Sequence, residues 1–336
     1  MKTQIVYVIS SNETDGYLEQ ALLSAYSCRV KNPSAKIVAV MDSRTDATVK
    51  GNRAAILKYI DEKIVADVPA KYNKVETSRY MKTTLPKHVK GDFLYVDTDT
   101  VIIDSLDEID QFEGELGAVL DIHVPVSQHE NNGRAVIRNA ARFGWNCSDS
   151  VNYYNGGLMY AKDCDTTRRL YAEWNRIWTD NMERERFHYD QHPLAMANER
   201  LGYPIKELNG VWNCQILEYG LPYLCNAKVI HYFTNHGEYK YRPTVPYAFY
   251  DKAIYKEIRD NGEVTDRIKT MVENARNAFV NPTRIVAGRE LVLLSGDMAN
   301  LCLHYPKLLK VMNCLAHPIV RLRINAAQFR NRILER

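Results

Sequence analysis

The order of apolar runs along this 336-residue chain predicts an α/β fold. We expect a largely parallel sheet flanked by helices, with a helical C-terminal appendage. Three observations carry that reading. Short β-rich runs alternate with stretches of helical periodicity through the first hundred residues. The connections between them are short, as strand–helix–strand units require. After Pro282 the alternation gives way to apolar patches broken by basic residues.

The elements follow in order. Ile5-Val6-Tyr7-Val8-Ile9 reads as a buried strand. Leu18, Leu22, Ala25, Tyr26 and Val30 recur at helical spacing, and Asn32-Pro33 stops that helix. Ile37-Val38-Ala39-Val40 is the next strand and ends at Asp42. A helix over residues 47–59 precedes a third strand over 63–68. Residues 76–85 are helical with Pro86 as the break, and Phe93-Leu94-Tyr95-Val96-Asp97 makes a fourth strand. Sheets of this kind take ligands beyond the carboxyl ends of their strands. Residues 10–17, 42–44 and 97–100 are therefore where chemistry is sought. From Pro282 onward, patches at 291–294, 301–303, 308–312 and 319–324 predict helices. The expected division is a main domain over residues 1–250 and a helical, basic region over 251–336.

Composition excludes several classes. With 46% hydrophobic and 25% charged residues, the chain can bury a core and is not disordered. No stretch of about 18 apolar residues offers a membrane span. The run ending at Ile9 is too short for a signal-peptide core, and Ser10-Ser11-Asn12-Glu13 follow at once. Seven scattered cysteines without a C-x-x-C pair fit reduced thiols, so the expectation is a cytoplasmic protein. Charge is unevenly placed. Residues 283–336 hold nine Lys and Arg against three Asp and Glu, a local +6, which leaves −3 on residues 1–282. The core thus lacks the basic stripe of a nucleic-acid binder. The tail suits packing on the main domain, contact with a second subunit in a homo-oligomer, or peripheral contact with an anionic membrane.

The strongest chemical signal is Asp97-Thr98-Asp99-Thr100-Val101. A bare D-x-D is common, and Asp163-Cys164-Asp165 is a second, where Asp165 reads as a helix N-cap. The first pair closes an apolar strand. Side chains at i and i+2 of an extended chain point the same way, and two adjacent carboxylates repel unless a cation or proton lies between them. A divalent metal bridging to phosphate meets that need. The same string also fits, letter for letter, the opening motif of haloacid-dehalogenase-like phosphatases, with Asp97 as nucleophile. Those enzymes need a later acidic pair. Gly296-Asp297 is the late candidate, and Leu301 stands where the second acid belongs.

Several further segments occur in a telling order. The first strand is followed by Ser10, Asn12 and Tyr17, and Ser78-Arg79-Tyr80-Met81-Lys82 precedes the D-x-D. Then come Asn155-Gly156-Gly157-Leu158-Met159, Tyr189-Asp190-Gln191 and Val229-Ile230-His231-Tyr232. Over about residues 3–243 this order resembles the retaining nucleotide-sugar glycosyltransferases of the GT-A fold. The resemblance is to family 8, which includes glycogenin and bacterial lipopolysaccharide galactosyl- and glucosyltransferases.

The resemblance implies a GT-A domain that transfers a hexose from a UDP-sugar donor to a glycan or glycolipid acceptor. It also implies Mn²⁺ or Mg²⁺ held by Asp97, Asp99 and His231. Ser10, Asn12 and Tyr17 would face the nucleotide, with Thr98 beside the metal pair. Arg79, Lys82 and Lys240 would face the diphosphate, and Asn155, Gly156 and Gly157 the sugar. Asp190 and Gln191 would lie at the reacting carbon. An acceptor in cell-surface polysaccharide or lipopolysaccharide biosynthesis suits a cytoplasmic enzyme docked on the inner leaflet. Two departures stand out: His192 occupies the third position of the family's D-Q-D, and His236 rivals His231 as ligand. Trp145, Tyr153, Tyr154, Trp212 and Phe233 read as core.

Overall fold

The computed structural model describes residues 1–129, 136–137, 140–145, 152–216, 219–232 and 247–278, with scattered positions between 305 and 318. One compact unit takes in Met1–Thr234 and Tyr247–Phe279. Lys240, His236, Phe233 and almost all of the basic tail lie outside the described residues.

The strands are β1 (Gln4–Ile9), β2 (Ile37–Asp42), β3 (Glu62–Ala66), β4 (Phe93–Val96) and β5 (Thr100–Ile102). After them come β6 (Leu116–Leu120), β7 (Tyr154–Ala161), β8 (Ile205–Glu207), β9 (Cys214–Gln215) and β10 (Val229–His231). Among the described residues, seven form a sheet in the order β3-β2-β1-β4-β7-β6-β8. Strands β3, β2, β1 and β4 run parallel, and β7 runs antiparallel to both β4 and β6. A smaller sheet, β5-β10-β9, stands beside it. Every residue of β1 and β2 is buried. That is why their apolar runs are continuous: a sheet covered on both faces has no solvated side to alternate with.

Six longer helices cover the sheet: α1 (Tyr17–Lys31), α2 (Lys74–Thr83), α3 (Asp165–Glu185), α4 (Gln191–Arg200), α5 (Lys252–Asn261) and α6 (Asp266–Glu273). Helix α2 opens with a reciprocal capping box between Asn73 and Glu76. Helix α3 packs Trp174 and Trp178 fully into the core. Helix α5 ends at Gly262, whose φ of +66° is the left-handed stop that glycine adopts without strain. Helices α5 and α6, which follow residue 250, belong to the same compact unit as the strands. None of the described helices is long and apolar enough to cross a membrane.

Two local expectations need correcting. The helix expected over 47–59 is a 3₁₀ segment, Gly51–Lys58, because Gly51 at φ +55° breaks the entry to a longer α-helix. Asp165 is not the N-cap of α3. Cys164 holds that position, and Asp165 pairs with Arg168 one turn on.

Candidate active site

The site assembles where the main sheet meets the small one. Asp97 and Asp99 lie in the turn between β4 and β5 rather than within a strand, so their convergence comes from that turn. The turn is pinned by the backbone. Asp97 N donates to Gly157 O at 2.8 Å, Thr100 Oγ1 donates to Asp97 O at 2.8 Å, and Tyr232 N donates to Asp99 O at 3.1 Å. Strand β10 pairs antiparallel with β5, setting His231 opposite Thr100. That register brings the imidazole to the aspartates, with Nε2 at 3.3 Å from Asp99 Oδ1 and 4.0 Å from Asp97 Oδ2. One ligand atom from each of the three residues lies within 4.8 Å of the others. Two carboxylates and an imidazole nitrogen meeting at one point require a cation or a proton between them.

A one-way chain of hydrogen bonds sets the histidine tautomer. Gly157 N–H donates to Asn155 Oδ1 at 2.9 Å, which fixes the orientation of the Asn155 amide. Asn213 Nδ2 donates to the same oxygen at 3.0 Å, so Asn213 Oδ1 is the acceptor for His231 Nδ1–H at 3.0 Å. Asn155 Nδ2 in turn donates to Asp121 Oδ1 at 2.9 Å. With the proton on Nδ1, Nε2 presents its lone pair toward Asp97 and Asp99, the arrangement a metal-ligating histidine needs.

Of the two glycines in the Asn155-Gly156-Gly157 entry, Gly157 is required by close approach. A Cβ on Gly157 would lie 2.3 Å from His231 Cε1, 2.8 Å from Asn155 Oδ1 and 2.9 Å from Asp97 Oδ2. A Cβ on Gly156 would meet Lys82 Nζ at 3.2 Å.

On the other flank two cations gather around Asp190. Arg79 Nε is 3.2 Å from Asp190 Oδ1, and Lys82 Nζ is 3.2 Å from Asp190 Oδ2 and 3.7 Å from Asp97 Oδ1. Lys82 is only 3% exposed and lies 4.9 Å above the Tyr95 ring, whose hydroxyl donates to Asp97 Oδ1. Asp190 occupies the N-cap position of α4, yet its side chain makes no capping hydrogen bond. Burial would raise its pKa, but Arg79 and then Lys82 outweigh it and hold the carboxyl below the usual range. Asp190 reciprocally holds the Arg79 guanidinium firmly charged. Gln191 begins α4 and is half-buried beside Asp190.

The remaining expected residues are placed as follows. Ser10 Oγ donates to Lys74 O, and Asn12 Oδ1 accepts from Thr14 N, Thr14 Oγ1 and Asp15 N, closing an Asx turn. Tyr17 lies beneath Lys74 Nζ at 4.5 Å. Burial, Asp15 and Asp99 push its phenol pKa up. Thr98 is half-buried in the Asp97–Asp99 turn. His192 faces the core: Tyr153 OH is 3.3 Å from Nδ1, Val136 O is 3.2 Å from Nε2, and burial lowers its pKa. Trp145, Tyr153, Tyr154 and Trp212 are buried. Sequence reasoning missed Asp121, Asn213 and Tyr95. Asp121 ends the apolar strand β6, the same strand-end signal that exposes Asp97. Asn213 carries no such signal.

The class that this fold and site define is the GT-A glycosyltransferase fold, with a D-x-D turn at the carboxyl edge of a mostly parallel sheet. Among solved structures, the chain is similar to the galactosyltransferase LgtC in complex with donor and acceptor sugar analogs. Identity is 17% and the TM-score 0.52, over 80% of this chain and 99% of that one. A structure of an active-site Gln-to-Glu variant of LgtC matches at 16% identity and a TM-score of 0.52, over the same shares of the two chains. The bifunctional glycosyltransferase WbbM matches at 13% identity and a TM-score of 0.50, over 80% of this chain and 51% of that one. No protein-family model matches the sequence, and neither does any curated protein.

Proposed function

We propose that the protein is a metal-dependent, retaining glycosyltransferase that moves a hexose from a UDP-sugar to a glycan or glycolipid acceptor. The observation that supports this most is the meeting of Asp97, Asp99 and His231 beside Arg79 and Lys82, in a fold used by sugar-nucleotide transferases. The donor set fits Mn²⁺ or Mg²⁺: two carboxylate oxygens and one imidazole lone pair, oriented from behind by Asn213. When bound, such a cation supplies positive charge to a departing nucleoside diphosphate.

The chain's own residues do the rest. Lys82 and Arg79 are fixed in place by Asp190 and add positive charge where the diphosphate's negative charge grows. Asp190, held ionised, faces the positive character that develops on the anomeric carbon as the glycosidic bond breaks. Asn155 has one amide hydrogen engaged by Asp121 and turns its remaining donor capacity to sugar hydroxyls. Gly156 and Gly157 keep that floor free of side chains. Gln191 is the counterpart we assign to the active-site glutamine of LgtC. We assign Ser10, Asn12 and Tyr17 to the nucleotide and Lys240 to the diphosphate. The basic residues of 283–336 dock the enzyme on an anionic inner leaflet, where a lipid-linked acceptor in cell-surface polysaccharide or lipopolysaccharide biosynthesis is found.

Thermal-shift binding of UDP, with and without Mn²⁺, tests the reading on wild type and Asp99→Ala. A ligand that binds only the native state raises its melting temperature. Stabilisation that needs the metal and vanishes in Asp99→Ala is expected. Stabilisation by Mg²⁺ with beryllofluoride, and none by UDP, would instead assign Asp97 to phosphatase chemistry, which has no support in the fold comparisons.

A further inference from the structure

We propose that Arg259, on a helix following the core, is a positioning residue for the nucleotide loop. It acts through a buried Arg–Glu–Arg clamp. The proposal rests on the donor-site reading of residues 10–17.

Glu19 in α1 is only 2% exposed and is held by two guanidinium groups from distant segments. Arg53 Nε donates to its Oε1 at 2.8 Å, while Arg259 Nε and Nη2 donate to Oε1 and Oε2 at 2.9 and 2.8 Å. Each guanidinium spends its other hydrogens on the same loop. Arg53 Nη1 donates to Asn12 O at 2.9 Å and Nη2 to Ser11 Oγ at 2.8 Å. Arg259 Nη1 donates to Glu13 O at 3.0 Å, and Nη2 also donates to Asp15 O. Helix α5 seals the far end of the loop, where a Cβ on Gly16 would lie 3.3 Å from Tyr255 Cβ. The loop leaves β1 at its carboxyl edge and delivers Tyr17 at the start of α1, beneath Lys74 Nζ at 4.5 Å. Asn12, Glu13 and Thr14 are exposed. Apart from the clamp they are held by the Asn12 Asx turn, by Asp15, which accepts from Asn12 N and Lys74, and by the Lys50–Glu13 pair. Together with these local contacts, the clamp meets in advance part of the ordering cost that a nucleotide would otherwise bear. A planar fork is required, since one group must span a carboxylate and two carbonyls at once.

The test compares wild type, Arg259→Ala and Arg259→Lys. Titration calorimetry gives the Kd for UDP in Mn²⁺, thermal melting gives stability, and hydrogen exchange reads residues 11–17 without ligand. Lysine keeps a charge beside Glu19 but cannot reach both carbonyls. We expect it to recover most of the melting temperature lost in Arg259→Ala. In both variants the Kd should rise about tenfold, the loss of one good hydrogen bond, and exchange over 11–17 should be faster. Lysine restoring Kd and melting temperature in step, or exchange over 11–17 unchanged in both variants, overturns the clamp. Wild type failing to bind UDP sinks the donor reading instead, and the exchange result then decides the clamp by itself.

Discussion

Gly157→Ala is the substitution for which the structure gives the sharpest expectation. The new methyl would sit 2.3 Å from His231 Cε1 and under 3 Å from both Asn155 Oδ1 and Asp97 Oδ2. Ordinary carbon contacts begin at about 3.5 Å, so the imidazole or the backbone of β7 must move by roughly 1 Å. Metal–ligand distances tolerate only about 0.2 Å, and the displacement thus removes a ligand. Disturbing a residue that merely orients a ligand costs about 10- to 100-fold in metal affinity. Loss of the ligand itself should reach at least the top of that range. Stability suffers less: overpacking costs about 1–3 kcal/mol, or a fall in Tm of a few degrees for a unit of this size. The control is the adjacent glycine. In Gly156→Ala the new methyl meets the far end of Lys82 at 3.2 Å, a contact that a shift of only a few tenths of an ångström relieves. Mn²⁺ affinity in the presence of UDP, from the electron paramagnetic resonance of free Mn²⁺, should collapse in Gly157→Ala and hold within about threefold in Gly156→Ala. A Gly157→Ala protein that binds Mn²⁺ like wild type would refute the assignment of His231 as ligand.

Further expectations follow from the surrounding chemistry. Asn213→Leu removes the acceptor for His231 Nδ1–H and should weaken Mn²⁺ binding by about 10- to 100-fold. UDP binding without metal should change little, as calorimetry can check. Asp190 has a depressed pKa, so the folded state releases a proton that the unfolded chain still holds. Its contribution to stability is complete above the ordinary carboxylate pKa of about 4 and is lost as pH falls below it. Asp190→Asn should accordingly flatten the decline of Tm with pH in that acid range. Liposome co-sedimentation of the full chain against residues 1–282 tests the basic tail: binding to anionic vesicles should require the tail, and equal binding by both would exclude it.

The strands were legible because burial on both faces of β1 and β2 leaves a plain apolar run. The metal candidates were legible because each terminates such a run, Asp97 after β4 and His231 at the end of β10. What the sequence hid is what depends on pairing between distant segments. The i and i+2 spacing of Asp97 and Asp99 suggested a shared strand face. In the structure they converge through a turn held by Gly157 and Tyr232. Asp190 stands at the N-terminus of α4, and the cations on α2 and its missing capping bond separate a site role from a capping one. His192 departs from the family pattern because it is part of the aromatic core with Tyr153. Asn213 lies in a 3₁₀ turn with no periodicity to announce it.

The hydrogen-bond chain from His231 to Asp121 also bears on when the site comes into being. Its three links join residues 18, 58 and 34 positions apart, and none forms within a single helix or hairpin. Contacts of such separation close late, since each must first overcome the entropy of the intervening loop. On the proposed metal reading, a chain in which these links have not formed carries the aspartates of the D-x-D without an oriented imidazole, and is expected to hold a cation more weakly. Divalent metal would then act as a proofreader of folding, stabilising finished molecules over every incomplete one.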